Sequence, residues 1–197
     1  MKSAFVSIIS VLSLLSVALL ESCQSAGDYT GEIKILDSIL VKTADLVHTC
    51  DSSHAVVNAN YPDSMLLMIQ NIQNDYKTVM PHDKAEEMAG FTHTAQELLR
   101  LGIEFDGAGE MLIHYRDEVN SLKKALAEHA THDKAGNEIN ESYVALVMQK
   151  EQENLNQIVQ HVSSLCMDLE QNVQKSKQHY PVVKSISNSL TTTTEAR

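Results

Sequence analysis

FTHTAQELLRLGIEFDGAGEMLIHYRDEVNSLKKAL, residues 91–126, carries an unbroken helical period. Phe91, Thr94, Leu98, Leu101, Phe105, Ala108, Leu112, Tyr115, Val119, Leu122 and Leu126 follow one another in steps of three and four. All but Thr94 are apolar or aromatic, which is the heptad seam of a long helix laid against partner helices. Gly102, Gly107 and Gly109 fall inside it, each weakening a helix by about 1 kcal/mol relative to alanine. The reading is one helix from about Asp83 to His129, bent or closely approached at the glycines, with a complete break there as the alternative.

Upstream, Pro81 closes a helix expected from Asp63 to Met80, in which Met65, Ile69, Ile72, Tyr76 and Val79 repeat at helical spacing. Asp83 and Glu86 have the spacing of a capping box opening the long helix. Before Asn60-Tyr61-Pro62-Asp63, a first helix is expected over Gly31 to Asp51, with Leu36, Leu40, Thr43, Val47 and Cys50 on one stripe. Downstream, Asp133, Gly136 and Asn137 mark a loop. A last helix is expected from Glu141 to His179, ending before Pro181. Its seam is Val144, Met148, Leu155, Ile158, Val162, Leu165, Leu169 and Val173, with Glu151 and Asn172 as polar residues in the same register. Such residues in a seam fix register more often than they do chemistry. The Ser- and Thr-rich stretch 182–197 cannot bury a core and reads as a disordered tail.

The expected fold is therefore all-α: an elongated antiparallel bundle over 33–181, four helices at the base with a two-helix coiled-coil arm. Folding the four helices up and down brings Cys50 and Cys166 to about one level, with Gly102 beside them. A Cys50–Cys166 disulfide is expected, two buried free thiols being the alternative.

Composition narrows the function classes. The chain has 197 residues, a formal net charge of −11, three prolines and no tryptophan. Such acidity disfavours nucleic acid and anionic lipid headgroups as partners. Nine histidines and eight methionines raise a metal or haem hypothesis. Neither Cys-x-x-Cys-His nor His-Glu-x-x-His occurs, and no glutamate has a histidine three residues later, as a di-iron bundle would need. What remains is His93 with Glu97, Glu110 with His114, and His129 near His132, spacings typical of a solvated helix surface. Met65, Met68, Met80 and Met88 read as core filler. Gly107-Ala108-Gly109 is no nucleotide loop, and no serine sits in a nucleophile elbow. Asn140-Glu141-Ser142 has the form of a glycosylation sequon. No catalytic residue, metal ligand or cofactor is expected.

The N-terminus carries an address. Lys2 precedes an apolar run from Ala4 to Leu20, broken by serines and followed by Glu21, Ser22 and Cys23. A run this short, ending in small or polar residues, reads as a secretory signal over 1–22. Leu20, Ser22 and Cys23 resemble the signal of bacterial lipoproteins, with Glu21 standing where that family usually has a small residue. The resemblance implies cleavage before Cys23, acylation of Cys23 (palmitate among the acyl groups) and a tether over 23–32. Cleavage at Ser22 or Ser25, or an uncleaved anchor, are the alternatives.

Met80-Pro81-His82-Asp83 is similar to a helix-start motif of some exported ferritin-like bundles, though Asp83 replaces its second histidine. From Leu36 to Val183 the layout resembles a group of short helical lipoproteins of Gram-negative bacteria, on Tyr115, Val119, Leu122, Leu126, Tyr143 and Leu155 through Leu169. The group implies no activity. The expectation is a non-enzymatic, exported helical scaffold or protein-interaction module, lipid-anchored in the cell envelope and meeting an envelope protein. The alternative is a periplasmic small-ligand or metal-binding bundle. Homo-oligomerisation through an uncovered seam fits the pattern as well.

Overall fold

The computed structural model describes residues 28–76, 79–133 and 135–195, with side chains to residue 190. The signal, Cys23 and most of the tether lie outside the described residues. The elements are α1 (Thr30–Ala59), α2 (Pro62–Asp75), α3 (His82–Ala127) and α4 (Glu141–Glu195). Among the described residues, the β-structure is a lone bridge between His132 and Glu138. The all-α reading holds.

The quoted stretch is a single helix, unbroken at its glycines. Every residue of its seam, from Phe91 to Leu126, is buried. Each large apolar side chain taken out of water contributes about 1.5–3 kcal/mol, and the seam's sum far outweighs the glycine penalty. The helix ends with His129 in the left-handed conformation (φ 51°). There Ala130 N–H bonds the Ala125 carbonyl at 2.9 Å and His129 N–H bonds the Leu126 carbonyl at 3.2 Å, a Schellman end without glycine. Asn140 opens α4, its Oδ1 accepting from the Tyr143 N–H at 3.0 Å.

The chain divides into two compact units, to both of which α1, α3 and α4 contribute. The first joins the residues through Leu46 with Met111–Val159. It holds the start of α1, the end of α3, the loop and the start of α4. The second joins Val47–Glu110 with the residues from Gln160 on, and so holds the end of α1, all of α2, the start of α3 and the end of α4.

Three expectations change. The two-helix arm has a third member, because in the first unit Lys123 of α3 pairs with Asp37 of α1 at 2.5 Å and Leu36 and Ile39 are buried. The four-helix base is built differently as well. In the second unit Ser53 meets Cys166 and Met65 meets Ser176, so α1 and α2 advance along α4 in the same direction. Tyr61 alone, in the left-handed conformation, and Pro62 separate them. Hence α2 prolongs α1 instead of folding back on it. It stops at Asp75, and Val79, expected in its stripe, is exposed.

The third change concerns the tail. Instead of ending before Pro181, α4 runs to Glu195 with Pro181 inside it. Proline removes one backbone bond and crowds the preceding turn, at about 3 kcal/mol. Burial of Val183 and Ile186, and the Phe91–Tyr180 ring contact at 6.2 Å, work against that cost. The helical body therefore extends past 181.

Candidate functional site

Cys50 and Cys166 are both in the second unit. Cys50 is buried on α1, and Cys166 is half-buried on α4. The expected disulfide is not formed here, and both are free thiols. Ser53 Oγ lies 3.7 Å from Cys166 Sγ, one helical turn beyond Cys50. Burial, then the neighbouring Cys166 and Asp51, push the Cys50 thiol up to about 11. At neutral pH it is a protonated, poorly nucleophilic group. The two cysteines reach one neighbourhood by a different route from the one expected, since α1 runs parallel to α4 there. Gly102 is not the glycine beside them. A Cβ on Gly102 would touch Val57 and His54, whereas one on Gly109 would sit 3.9 Å from Cys50 Cβ.

The spacings of His93 with Glu97, Glu110 with His114 and His129 near His132 build no site, and Glu110, His114, His129 and His132 are exposed. Glu97 is held by Arg100 at 2.9 Å, and His132 Nδ1 lies 3.0 Å from the Thr131 hydroxyl. The histidines that meet carboxylates do so between helices: His54 with Asp106 at 2.9 Å and His179 with Glu87 at 2.7 Å. No sequence spacing reports such pairs. Among the described residues, no three His, Cys, Asp or Glu side chains are placed to hold a metal ion. Met65 and Met88 are core residues, as expected, and Ser176 donates to Met65 Sδ at 3.7 Å. An open groove of about 490 Å³ in the second unit is lined by Asp83, Lys84, Glu86, Glu87, His179 and Val182.

The first unit carries carboxyls withdrawn from solvent. Tyr115 of α3 donates its hydroxyl to the Glu151 main-chain carbonyl of α4 at 2.7 Å. Burial raises both the Tyr115 hydroxyl and the Glu151 carboxyl above their ordinary values. Glu151 Oε2 is shut off from water with no hydrogen-bond partner. Burial and the nearby Glu151 charge push Glu118 up to about 6, against the pull of Lys150 and His114. A different solution appears in the loop. Asp133 is buried, which pushes its carboxyl up, yet hydrogen bonds from Asn137, Tyr143 and the Ala135 N–H together hold it below its ordinary value. The Tyr143 hydroxyl donates to it at 2.7 Å.

Exposed apolar side chains occur in both units: Val41, Ile113 and Leu146 in the first, Val56, Leu67, Ile103 and Met167 in the second. No described helix is long and apolar enough to cross a membrane. Comparison with family models, curated proteins and solved structures returns no match.

Proposed function

We propose that the chain is a non-enzymatic helical interaction module of a bacterial cell envelope, tethered through lipid on Cys23. The observation that carries the reading is the apolar run closing on Leu20-Glu21-Ser22-Cys23, ahead of a body made of helices. Two or three acyl chains would hold such a body at a membrane, since each buried methylene contributes about 0.8 kcal/mol. The exposed Val41 and Leu146 of the first unit are the surface assigned to a protein partner. In an oxidising compartment Cys50 and Cys166 are the pair that exchange with an external disulfide would join. Both thiols then lose their protons, and the external disulfide leaves as two thiols.

Membrane fractionation tests the tether. The unaltered chain is expected with the membranes after a high-salt wash, and Cys23→Ser in the soluble exported fraction. Equal membrane retention of both would overturn lipid anchoring. The alternative, a small-ligand or metal-binding bundle, draws on the groove at His179 and Glu87. It predicts bound metal by elemental analysis of protein purified without chelator, where the first reading predicts none.

A further inference from the structure

Glu151 stands in the α4 seam at a position where Val144, Met148, Leu155 and Ile158 are all buried. Its main-chain carbonyl anchors the Tyr115 hydroxyl, which keeps this turn of α4 against α3. Oε2 of its carboxylate is closed to solvent and accepts no hydrogen bond, and burial outweighs the opposing pull of the Tyr115 hydroxyl and Lys150 on the carboxyl. A buried carboxylate oxygen in that state favours the protonated acid, because only the charged form needs the missing donors. Glu118, on the facing helix, feels the Glu151 charge, which adds to its own burial in favouring its protonated form. We propose that the Glu118–Glu151 pair makes packing of the first unit proton-dependent, so that the unit takes up protons on the pair and tightens as the pH falls from neutral to mildly acidic.

The groups around the pair come from each element packed there. On α3 they are His114 and Tyr115, and on α4 Lys150 and Tyr143. On α1 the Asp37–Lys123 pair sets an antiparallel register with α3 and brings Lys42 to the level of Glu118, with Asp45 a turn further on. Both of these α1 side chains are exposed. An acid whose pKa is higher in the folded state than in the unfolded chain leaves the folded state holding more protons. Its stabilisation is full at low pH and is withdrawn as pH climbs from the ordinary 4.5 through about 6 for Glu118. In an exported chain the pair would meet the pH of the outside medium, but its titration does not depend on that reading.

The test is carbon-13 titration of the glutamate carboxyls in the full chain, together with urea midpoints at pH 5.5 and 7.5. Glu118 is expected to titrate near 6 and to fall back toward 4.5 in Glu151→Gln. Glu151→Gln should raise the urea midpoint at pH 7.5, and its advantage should shrink at pH 5.5. Glu153→Gln, an exposed acid one turn face away that accepts from Gln149, should leave the pH dependence unchanged. Ordinary titration of both carboxyls, or a Glu151→Gln advantage equal at both pH values, would overturn the proposal. If Glu151→Gln fails to fold, titration of the unaltered chain and of Glu118→Gln decides it.

Discussion

The two units differ in the polar groups they bury. In the second, Thr94 returns its hydroxyl to the Gly90 carbonyl at 2.9 Å, and Asn172 donates its amide to the Asp168 carbonyl at 2.9 Å. Ser53 and Ser176 rest against sulfur atoms. These groups are neutral, so acidification changes little, even though Asn172 Oδ1 is itself buried without a partner. The first unit has such a group too, Thr43, whose hydroxyl donates to the Ile39 carbonyl at 2.8 Å, but it also buries carboxylates. Asp133 is supplied with donors, whereas Glu151 is left short of them. The polar groups buried in the second unit should therefore be indifferent to mild acid, and those buried in the first responsive. The same element, α4, serves both kinds of interior, so the difference lies in side chains and not in fold.

The largest effect that sharpens this comparison is cavity formation. Leu112→Ala in the first unit should cost about 2–5 kcal/mol, and Phe105→Ala in the second about 3–5 kcal/mol. Urea unfolding followed by hydrogen exchange locates each loss. Loss of protection confined to the mutated unit would support two interiors, and uniform loss would merge them.

Next in size is Asp133→Ala, expected to cost about 1–3 kcal/mol because it removes the hydrogen bonds from Ala135, Asn137 and Tyr143 to a charged acceptor. Asp133 has a lowered pKa, so its contribution is present above its ordinary 3.8 and lost as pH falls below that value. The Glu118–Glu151 pair has the opposite sign and a higher window. Stability of the first unit should therefore pass through a maximum in mild acid, and Asp133→Ala should remove its low-pH limb. A monotonic urea profile from pH 7 to 3 in the unaltered chain would break the comparison.

The smallest effect concerns the glycines of α3. A Cβ on Gly107 meets nothing within 4 Å, so Gly107→Ala should raise stability by about 0.5–1 kcal/mol. A Cβ on Gly90 would lie 2.9 Å from the His179 ring, which Glu87 holds in place. Gly90→Ala should therefore gain less than Gly107→Ala, or lose stability, by thermal melting.

What could be read from the sequence follows from how local the signal is. The α3 seam, the loop at Asp133 and the hairpin that sets Tyr115 against Glu151 all follow from periodicity and short-range register. The direction of α2 does not. Tyr61 and Pro62 look like a hairpin turn in sequence, and only the pairing of Met65 with Ser176 shows that the chain continues forward. The signal for the end of α4 was present in Val183 and Ile186, a helical pair that outweighs Pro181. Glu151 was legible as a seam residue, but its missing donor depends on the packing of α3 and is invisible in one dimension.

The intact mass of non-reduced protein extracted from its own membranes decides whether the chain is tethered. A chain beginning at Cys23 and carrying acyl mass is the expected result, and a loss of two hydrogens would add the Cys50–Cys166 bridge. An unacylated chain, or one beginning elsewhere, would contradict the tether and with it the assignment to the envelope.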